Sequence, residues 1–257
     1  MNRKMLHLCV VILSLTAVTA VPVLGAESSA TAQAAVKEER TGVKRVLLLA
    51  PGPGNPRNGE GDFIQLKDGR ILFIYTRFTG GSDDHSEAHL AGRFSSDGGK
   101  TWTAKDVLVL PNEGRWNVMS VSLLRFADER IALFYLVKNS LKDCRPVMRT
   151  STDEAKSWSE PVRIIPDEQI GYYVVNNDRV VQLKTGRIVV PVALHNMPEY
   201  ETPDWAGKIM CCMSDDNGKS WRGSKSELTG KSPDGRRITL QEPGVVELKD
   251  GRLLTFA

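Results

Sequence analysis

Apolar and polar positions alternate around tight turns in a pattern that recurs four times along the chain. Residues 66–75 read Leu-Lys-Asp-Gly-Arg-Ile-Leu-Phe-Ile-Tyr, so that an Asp-Gly pair separates two apolar segments. Such a pair between apolar runs predicts a β-hairpin. The turn position, Gly69 in the first copy, returns at Glu129, Gly186 and Gly251, at intervals of 60, 57 and 65 residues. A repeat of this length indicates an architecture of similar stacked units.

Each repeat holds enough apolar segments for four short strands. In the first copy the predicted strands are 62–66, 71–76, 89–94 and 107–110. No helical periodicity of useful length accompanies them. Four short antiparallel strands per period, with a Gly or Asp turn in each, are typical of a β-propeller blade. The predicted fold is therefore all-β, a β-propeller of four-stranded antiparallel blades, with about three and a half blades in this chain.

A second motif, Ser-x-Asp-x-Gly-x-x-Trp, follows the third predicted strand of a repeat. It begins at Ser95 and Ser214, and a variant with Ala155 in the glycine position begins at Ser151. The Asp side chain can accept hydrogen bonds from its own turn, and glycine permits a positive φ angle. We interpret these Asp boxes as structural turns, and we expect Ala155 to distort its copy. Their Asp and Trp residues are Asp97, Trp102, Asp153, Trp158, Asp216 and Trp221.

Three segments divide the chain. Residues 1–26 combine a basic start, a mostly apolar stretch and small residues near Gly25, which predicts a secretory signal peptide and a secreted or periplasmic protein without a membrane span after cleavage. Residues 27–42, rich in Ala, Ser and Glu, are a predicted flexible linker. Residues 43–257 are expected to be the N-terminal part of a truncated propeller, since the fourth repeat stops within an apolar run. Residues 43–50 resemble a strand that could complete the last blade of a ring.

Composition and charge narrow the classes of partner. Without residues 1–26 the chain has 32 basic and 31 acidic residues, and no basic stripe that would favour a nucleic acid. The sequence makes no prediction of oligomeric state. Three cysteines, Cys144, Cys211 and Cys212, are too few for a disulfide scaffold and form no C-x-x-C pair, so we interpret them as free thiols.

The sequence favours neither a metal nor a cofactor. His85 and His89 lie four residues apart, but in a loop that leads into a strand and without the H-E-x-x-H spacing. Each Asp box offers too few oxygen ligands for Ca²⁺. We therefore predict no metal site and no cofactor.

Polar residues mark the start of every inner strand. The position nine residues before each turn is occupied by Glu60, Ser120, Asn177 or Glu242. Inner strands line the central channel of a propeller, so these side chains are expected to meet in one polar funnel, because burying them unpaired would be costly. Their polar neighbours are Arg57, Asp62, Arg115, Asn117, Asp178 and Arg179. Carboxylates, amides and guanidinium groups in one pocket suit a sugar-like or anionic ligand, and so a carbohydrate partner.

The boxes, the Asp-Gly strands and these strand-start residues resemble the bacterial sialidases (exo-α-sialidases or neuraminidases with BNR, or Asp-box, repeats), whose propellers have six blades. The resemblance covers about residues 43–257. It implies a glycoside hydrolase that removes terminal α-linked sialic acid, or a related acidic sugar, from glycoconjugates by a retaining mechanism. Sialidases bind the sugar carboxylate with three arginines and use an Asp acid/base and a Tyr nucleophile activated by a Glu.

The resemblance assigns roles to particular residues. Arg57 would be the first arginine, although the usual Arg-Ile-Pro motif is absent. Asp83 would be the acid/base, with Asp84 as the alternative, and the adjacent carboxylate would raise the pKa of one of them. Glu242 would deprotonate the nucleophile. Position at the strand starts and ends, rather than the resemblance, predicts further substrate contacts from Glu60, Asn177, Asp178, Arg179 and His195. For Trp116 and Trp205 two interpretations stay open, stacking on a sugar ring and packing within the fold.

Two alternatives stay open. The missing Arg-Ile-Pro motif is compatible with another propeller carbohydrate-active enzyme, either a different exo-glycosidase or a polysaccharide lyase. A non-catalytic glycan-binding propeller is the third class, because fold alone does not decide function. The remaining arginines and the tyrosine have no counterpart in these 257 residues, so this chain alone is expected to be inactive.

Overall fold

The computed structural model describes residues 44–257, which form strands and one short 3-10 helix, Asp167–Gln169. The predicted signal peptide 1–26 and linker 27–42 lie outside the described residues. Across residues 44–257, no helix has the length and apolarity needed to cross a bilayer.

The first blade is a four-stranded antiparallel sheet in which each strand pairs with the next along the chain. Its strands are β1 (Arg57–Gln65), β2 (Ile71–Phe78), β3 (Ala88–Ser95) and β4 (Val107–Leu110). The Asp-Gly turn joins β1 to β2, and Gly69 adopts a φ of 86° there. All four predicted strands of the first repeat are therefore present, with β1 extended toward its start.

The second and third blades repeat this strand order. The second contains β5 (Asn117–Arg125), β6 (Ile131–Ser140), β7 (Asp143–Ser151) and β8 (Val162–Arg163). The third contains β9 (Tyr172–Val174), β10 (Val181–Gln182), β11 (Ile188–Asn196), β12 (Lys208–Ser214) and β13 (Arg222–Gly223). Its inner strand is split into β9 and β10, both of which pair with β11. A parallel bridge between Cys144 and Tyr172 joins the two blades into one sheet, which is the exception to antiparallel pairing.

Two hairpins follow the third blade. They consist of β14 (Gly230–Lys231) with β15 (Arg237–Ile238), and of β16 (Gly244–Glu247) with β17 (Leu253–Phe256). The second hairpin is the fourth repeat, in which Gly251 forms the turn with a φ of 83°. The all-β fold of successive propeller blades is thus confirmed.

Residues 44–50, the described part of the predicted strand 43–50, form no ladder with any described strand, and the pairing of this segment with the last blade of a ring stays a prediction. The backbone carbonyl of Leu49 instead accepts a hydrogen bond from Asn58 Nδ2 at 2.9 Å. An apolar run becomes a strand only where a neighbouring backbone pairs with it, and none lies beside this segment.

The hydrophobic core lies between successive blades. On β6, Leu133 and Tyr135 belong to a cluster shared with the first blade, while Phe134 and Leu136 belong to a cluster shared with the third. Successive side chains of a strand point to opposite faces. Because both faces of β6 are buried, its sequence is a continuous apolar run rather than an alternating one.

The Asp boxes share one hydrogen-bond pattern. In the first box, Ser95 Oγ accepts from the Gly99 N–H at 2.9 Å, and Asp97 Oδ1 accepts from the Thr101 N–H at 2.9 Å. The Thr101 hydroxyl also donates to Asp97, which is the largest cause lowering the pKa of Asp97 to about 2. The same arrangement with a serine hydroxyl lowers the pKa values of Asp153 and Asp216 to about 2.

The expected distortion at Ala155 is absent, so that prediction is wrong. Ala155 adopts a φ of 64°, and its N–H donates to Ser151 Oγ at 2.9 Å as in the first box. Asp153 Oδ1 likewise accepts from the Ser157 N–H at 2.9 Å. These side-chain hydrogen bonds fix the geometry of the turn. They hold Ala155 in a left-handed conformation that alanine otherwise avoids.

Ala155→Gly is expected to raise the free energy of unfolding by about 1 kcal/mol, because glycine removes the left-handed strain. Urea unfolding of the variant and the parent measures this. Gly99→Ala is the matched control: Gly99 has a φ of 86°, and the nearest atoms to an added Cβ are 3.9 Å away. The free energy of unfolding of Gly99→Ala should fall by about the same amount, through backbone strain alone. Changes of the same sign in both variants would contradict the explanation.

Candidate functional site

The starts of the inner strands have unusual backbone geometry. Ser120, Asp178 and Glu242 adopt positive φ angles of 63°, 52° and 54°, although none is glycine. The pairing of β1 with β2 is interrupted between Asn58 and Gly61, around Glu60. Bulges and left-handed residues redirect side chains and concentrate near functional sites.

A cavity of about 230 Å³ opens at these strand starts, and we call it the strand-start cavity. Its lining combines both signs of charge with amide, hydroxyl and aromatic groups. The ionisable and aromatic residues in the lining are Arg57, Glu60, Asp84, Lys138, Tyr172, His195, Trp205 and Glu242. A concave site with a few convergent polar groups is the usual form of a small-ligand pocket.

The structure separates the predicted site residues into two groups. Arg57, Glu60, Asp84, His195 and Glu242 line the strand-start cavity. The other four, which are not among its lining residues, are Asp83, Asn177, Asp178 and Arg179.

Asp83 stabilises its own loop. Its carboxylate accepts hydrogen bonds from the His85 N–H and the Ser86 hydroxyl, both at 2.8 Å. The bond from the His85 N–H is the largest cause that lowers the pKa of Asp83. Asp83 is therefore not the carboxyl group with the raised pKa that the sequence predicted for one of the pair, because these local donors favour its charged form.

Asp84 lies on the same loop but lines the cavity. Its Oδ1 accepts from Arg57 Nη1 at 2.5 Å. Arg57 Nη1 also donates to the Ser82 carbonyl at 3.2 Å, and the guanidinium stacks 4.5 Å from the centre of the Phe78 ring. Arg57 thus links β1 to the loop that carries Asp83 and Asp84, which we call the acidic loop. Its Nη1 group is already hydrogen-bonded within the protein.

Two residues from the second blade hold the Asp84 backbone. The buried Asn117 donates through Nδ2 to the Asp84 carbonyl at 2.9 Å and to the Ser86 carbonyl at 2.8 Å. Lys138 Nζ donates to the Asp84 carbonyl at 3.0 Å. The position of the acidic loop therefore depends on residues more than thirty positions away in the sequence.

The sequence interpretation missed Lys138, although a signal for it exists. Lys138 is the ninth residue after the turn at Glu129, and His195 is the ninth after the turn at Gly186. Counting forward from each turn, as well as backward, would have found both cavity residues. Phe78 occupies the same position in the first repeat.

The segment 177–179 connects two blades instead of lining the cavity. The Asp178 N–H donates to the Val121 carbonyl at 3.1 Å, and the Arg179 N–H donates to Ser122 Oγ at 3.1 Å. A cavity residue does come from this stretch, but it is the preceding Asn176.

Asp62 provides a second connection between blades. Its side chain is buried, and its carboxylate accepts from the Phe63 N–H at 2.6 Å and the Leu123 N–H at 2.7 Å. Burial is the largest cause that raises the pKa of Asp62 to about 7, and the negative charge of Asp178 raises it further. A protonated Asp62 is favoured in the folded protein at mildly acidic pH.

Asp62→Asn is expected to change how stability depends on pH. Because the folded pKa of Asp62 exceeds its ordinary value of 3.8, its stabilising contribution is complete below pH 3.8 and is lost as the pH rises to about 7. Between pH 4 and 8 the Asn variant should therefore gain about 2–4 kcal/mol of unfolding free energy relative to the parent. Urea unfolding at several pH values measures this gain.

Asp68→Asn is the control for that titration. A side-chain hydrogen bond from Arg70 is the largest cause that lowers the pKa of Asp68. The contribution of Asp68 to stability therefore increases as the pH rises, whereas that of Asp62 decreases. The unfolding free energy of the Asp68 variant should not increase relative to that of the parent as the pH rises. A parallel gain in both variants would show that the effect does not come from the burial of Asp62.

Aromatic residues form one wall of the strand-start cavity. His195 is buried, contacts the Asp204 carbonyl through Nδ1 at 3.1 Å, and has a pKa lowered by its burial. The Trp205 side chain is 49% exposed, with its ring 5.6 Å from His195 and 5.9 Å from Tyr172. An exposed indole at the rim of a polar cavity can pack against the apolar face of a ligand ring.

A second cavity, of about 270 Å³, lies elsewhere and contains none of the predicted site residues. Its arginines are paired: Arg149 bonds to Glu113 at 2.5 Å, and Arg145 to Asp143 at 2.8 Å. We take the smaller strand-start cavity as the candidate functional site, because its polar groups converge from several blades and include carboxylates free of such pairing.

Within residues 44–257, no group of three or more His, Cys, Asp or Glu side chains is arranged to hold a metal ion. The His85 ring instead packs 4.6 Å from Trp116. The three cysteines of this part of the chain, Cys144, Cys211 and Cys212, are free thiols.

Comparison with known proteins gives one family and several similar folds. The family of BNR repeat-like domains matches residues 69–257. A protein of unknown function from Dyadobacter fermentans is similar in structure, with a TM-score of 0.62 and 19% identity, over 80% of this chain and 62% of its own. No curated protein sequence matches the chain.

Two sialidase structures are also similar. The Trypanosoma rangeli sialidase in complex with the inhibitor DANA has a TM-score of 0.57 and 18% identity, over 77% of this chain and 34% of its own. A Hadza microbial sialidase has a TM-score of 0.57 and 14% identity, over 79% of this chain and 42% of its own. The chain spans less than two thirds of each of these structures, and at such identities the likeness establishes the fold alone.

Proposed function

Because the chain belongs to the family of BNR repeat-like domains, we propose that the protein is an exported exo-glycosidase of the sialidase type. It would remove a terminal α-linked sialic acid, or a related acidic sugar, from glycoconjugates with retention of configuration. The observation that carries this proposal is the strand-start cavity, in which Asp84 and Glu242 from separate repeats accompany cationic and aromatic groups. Paired acidic groups around one sugar site are what glycoside hydrolysis requires, with a tyrosine nucleophile as a known variant.

The proposed roles follow from position in the cavity. Asp84, rather than Asp83, is the acid/base that protonates the leaving oxygen and then activates water. Arg57, which donates to Asp84 Oδ1 at 2.5 Å, orients it. Glu242 is the base for a tyrosine nucleophile. We assign no tyrosine of residues 44–257 to that role, since burial raises the pKa of the cavity-lining Tyr172 and so disfavours its phenolate.

A panel of fluorogenic glycosides tests the proposal. The full-length protein should hydrolyse an α-sialoside or another acidic glycoside, and nuclear magnetic resonance should detect the retained anomer as the first product. Glu242→Gln should lower the rate on the same substrate. Release of the inverted anomer, or no hydrolysis of any acidic glycoside, would refute it.

One observation favours a second candidate, an exo-glycosidase for neutral sugars. Three carboxylates, Glu60, Asp84 and Glu242, face two cationic side chains, Arg57 and Lys138, in the same lining. That balance offers no net positive charge to attract an acidic sugar. Hydrolysis confined to neutral glycosides would support this candidate, and binding without any hydrolysis would support a glycan-binding propeller.

A further inference from the structure

Lys138 is a buried cation that lines the strand-start cavity. Its relative exposure is 3%, yet it belongs to the cavity lining. Nζ donates to the Asp84 carbonyl at 3.0 Å and lies 5.4 Å from the centre of the Tyr172 ring. An ammonium group has three donors, and this contact with a carbonyl uses one of them.

The surroundings of Lys138 leave its charge without a carboxylate partner. Among the described residues, no carboxylate oxygen forms a salt bridge with Lys138. Arg145 shows the contrast, since it is also buried and is bound by both Asp143 and Asp167. Burying a charge is costly unless it is paired, so the unneutralised ammonium of Lys138 suits an anionic group that arrives with a ligand.

The backbone around Lys138 holds the group in place. The Lys138 carbonyl accepts from the Trp116 N–H at 3.0 Å, and the β6 ladder pairs Lys138 with Asn117 on one side and Cys144 on the other. The side chain is therefore directed by two strand pairings and by its bond to the acidic loop. A binding group on paired strands is more precisely placed than one on a loop.

We propose that Lys138 binds the carboxylate of an acidic sugar in the strand-start cavity. This inference rests on the proposed function and specifies its recognition step. Lys138 is then a binding residue, beside the Asp84 that acts on the glycosidic oxygen. Arg57 is the weaker candidate for the carboxylate, because its Nη1 is already bonded to Asp84 and Ser82.

Matched ligands isolate this contact. The probes are the sialidase inhibitor DANA and its methyl ester, in which a methyl group removes the charge of the carboxylate, and their affinities are measured by calorimetry. The parent protein should bind the acid about 10- to 100-fold more tightly than the ester, as expected for a hydrogen bond between charged groups. Lys138→Gln should bring the two affinities within about threefold, and Lys138→Arg should restore part of the preference.

Arg57→Gln is the control variant. Arg57→Gln should lower the affinity for both ligands while retaining the ratio of acid to ester affinity. If Arg57→Gln removes the preference and Lys138→Gln retains it, the assignment of Lys138 is wrong and the acidic substrate class survives. If the parent binds acid and ester equally, both the inference and the acidic substrate class fail.

A measurement on the parent protein decides the matter even if the Lys138 variants do not fold. Burial is the largest cause that lowers the pKa of Lys138, and the titratable groups around it are Cys144, Asp84, Arg57 and Asp83. An arginine stays charged at every accessible pH. If Lys138 provides the preference for the acid, that preference should therefore fade at a pH below the ordinary lysine pKa of 10.5, and a preference that persists above that pH would overturn the inference.

Discussion

Asp84→Asn is expected to reduce turnover of a natural-linkage glycoside by about 10²- to 10⁴-fold, the usual contribution of a general acid. The reason is that Asp84 lines the strand-start cavity, where it accepts from Arg57 at 2.5 Å and its backbone is held by Asn117 and Lys138. Steady-state kinetics on the purified full-length protein measures the loss. The asparagine keeps the shape of the side chain, but it removes both the acid function and the negative charge that pairs with Arg57.

Asp83→Asn is the matched control, since it makes the same chemical change one residue earlier on the same loop. Its carboxylate bonds to His85 and Ser86 and does not line the cavity. Turnover should stay within a few-fold of the parent. Equal losses in the two variants would mean that the loop, and not the Asp84 carboxylate, is what catalysis requires.

The leaving group provides a test that a structural role would not pass. A general acid assists a poor leaving group more than a good one, because a good leaving group departs without protonation. Asp84→Asn should therefore impair hydrolysis of an alkyl glycoside far more than that of an aryl glycoside with an acidic phenol. A uniform loss on both substrates would argue for a disturbed fold.

Gly61→Ala is expected to lower the free energy of unfolding by about 3 kcal/mol or more, at the upper end of overpacking effects. An added Cβ would overlap the Ile74 carbonyl oxygen and would lie 2.7 Å from Phe73 Cε2 and 2.8 Å from Tyr75 Cβ. The Ile74 oxygen belongs to the backbone of β2, so no side-chain rotation relieves the contact. Thermal unfolding should show a melting temperature lowered by about 6–12 °C.

Gly223→Ala is the control for this substitution. Gly223 lies on β13, where an added Cβ meets no atom within 4 Å, so stability should change by less than about 0.5 kcal/mol. A melting temperature of Gly61→Ala close to that of the parent would show that β1 and β2 can separate without cost. Because Gly61 lies between Glu60 and Asp62, we also expect the destabilised variant to lose ligand binding.

The blades were predictable because their signals are local. The Asp-Gly turn, the apolar run after it and the Ser-x-Asp box each occupy fewer than a dozen consecutive residues. Hairpin turns and side-chain-capped turns depend on the φ angles and hydrogen bonds of those residues alone. The segment 44–50 has a similar apolar character but forms no ladder with the described strands, because a strand also needs a partner that its own sequence does not provide.

The sequence predicted where the candidate site lies but not which neighbouring side chains line it. Repeat phase correctly identified strand-start positions, and Glu60, Ser120 and Glu242 line one cavity. It could not choose between Asp83 and Asp84, which are chemically identical neighbours. The choice depends on donors from the loop itself, which occupy Asp83, and on Arg57, Asn117 and Lys138, which fix Asp84.

What the sequence by itself determined is the repeating blade, its turns and the polar start of each inner strand, since period and turn chemistry are properties of neighbouring residues. Only the tertiary structure decided that Asp84 faces the cavity, that Lys138 is buried there without a carboxylate partner, and that Ala155 adopts the glycine conformation. Each of these outcomes depends on hydrogen bonds or packing with other parts of the fold. The pattern of neighbouring residues does not show which distant groups come into contact.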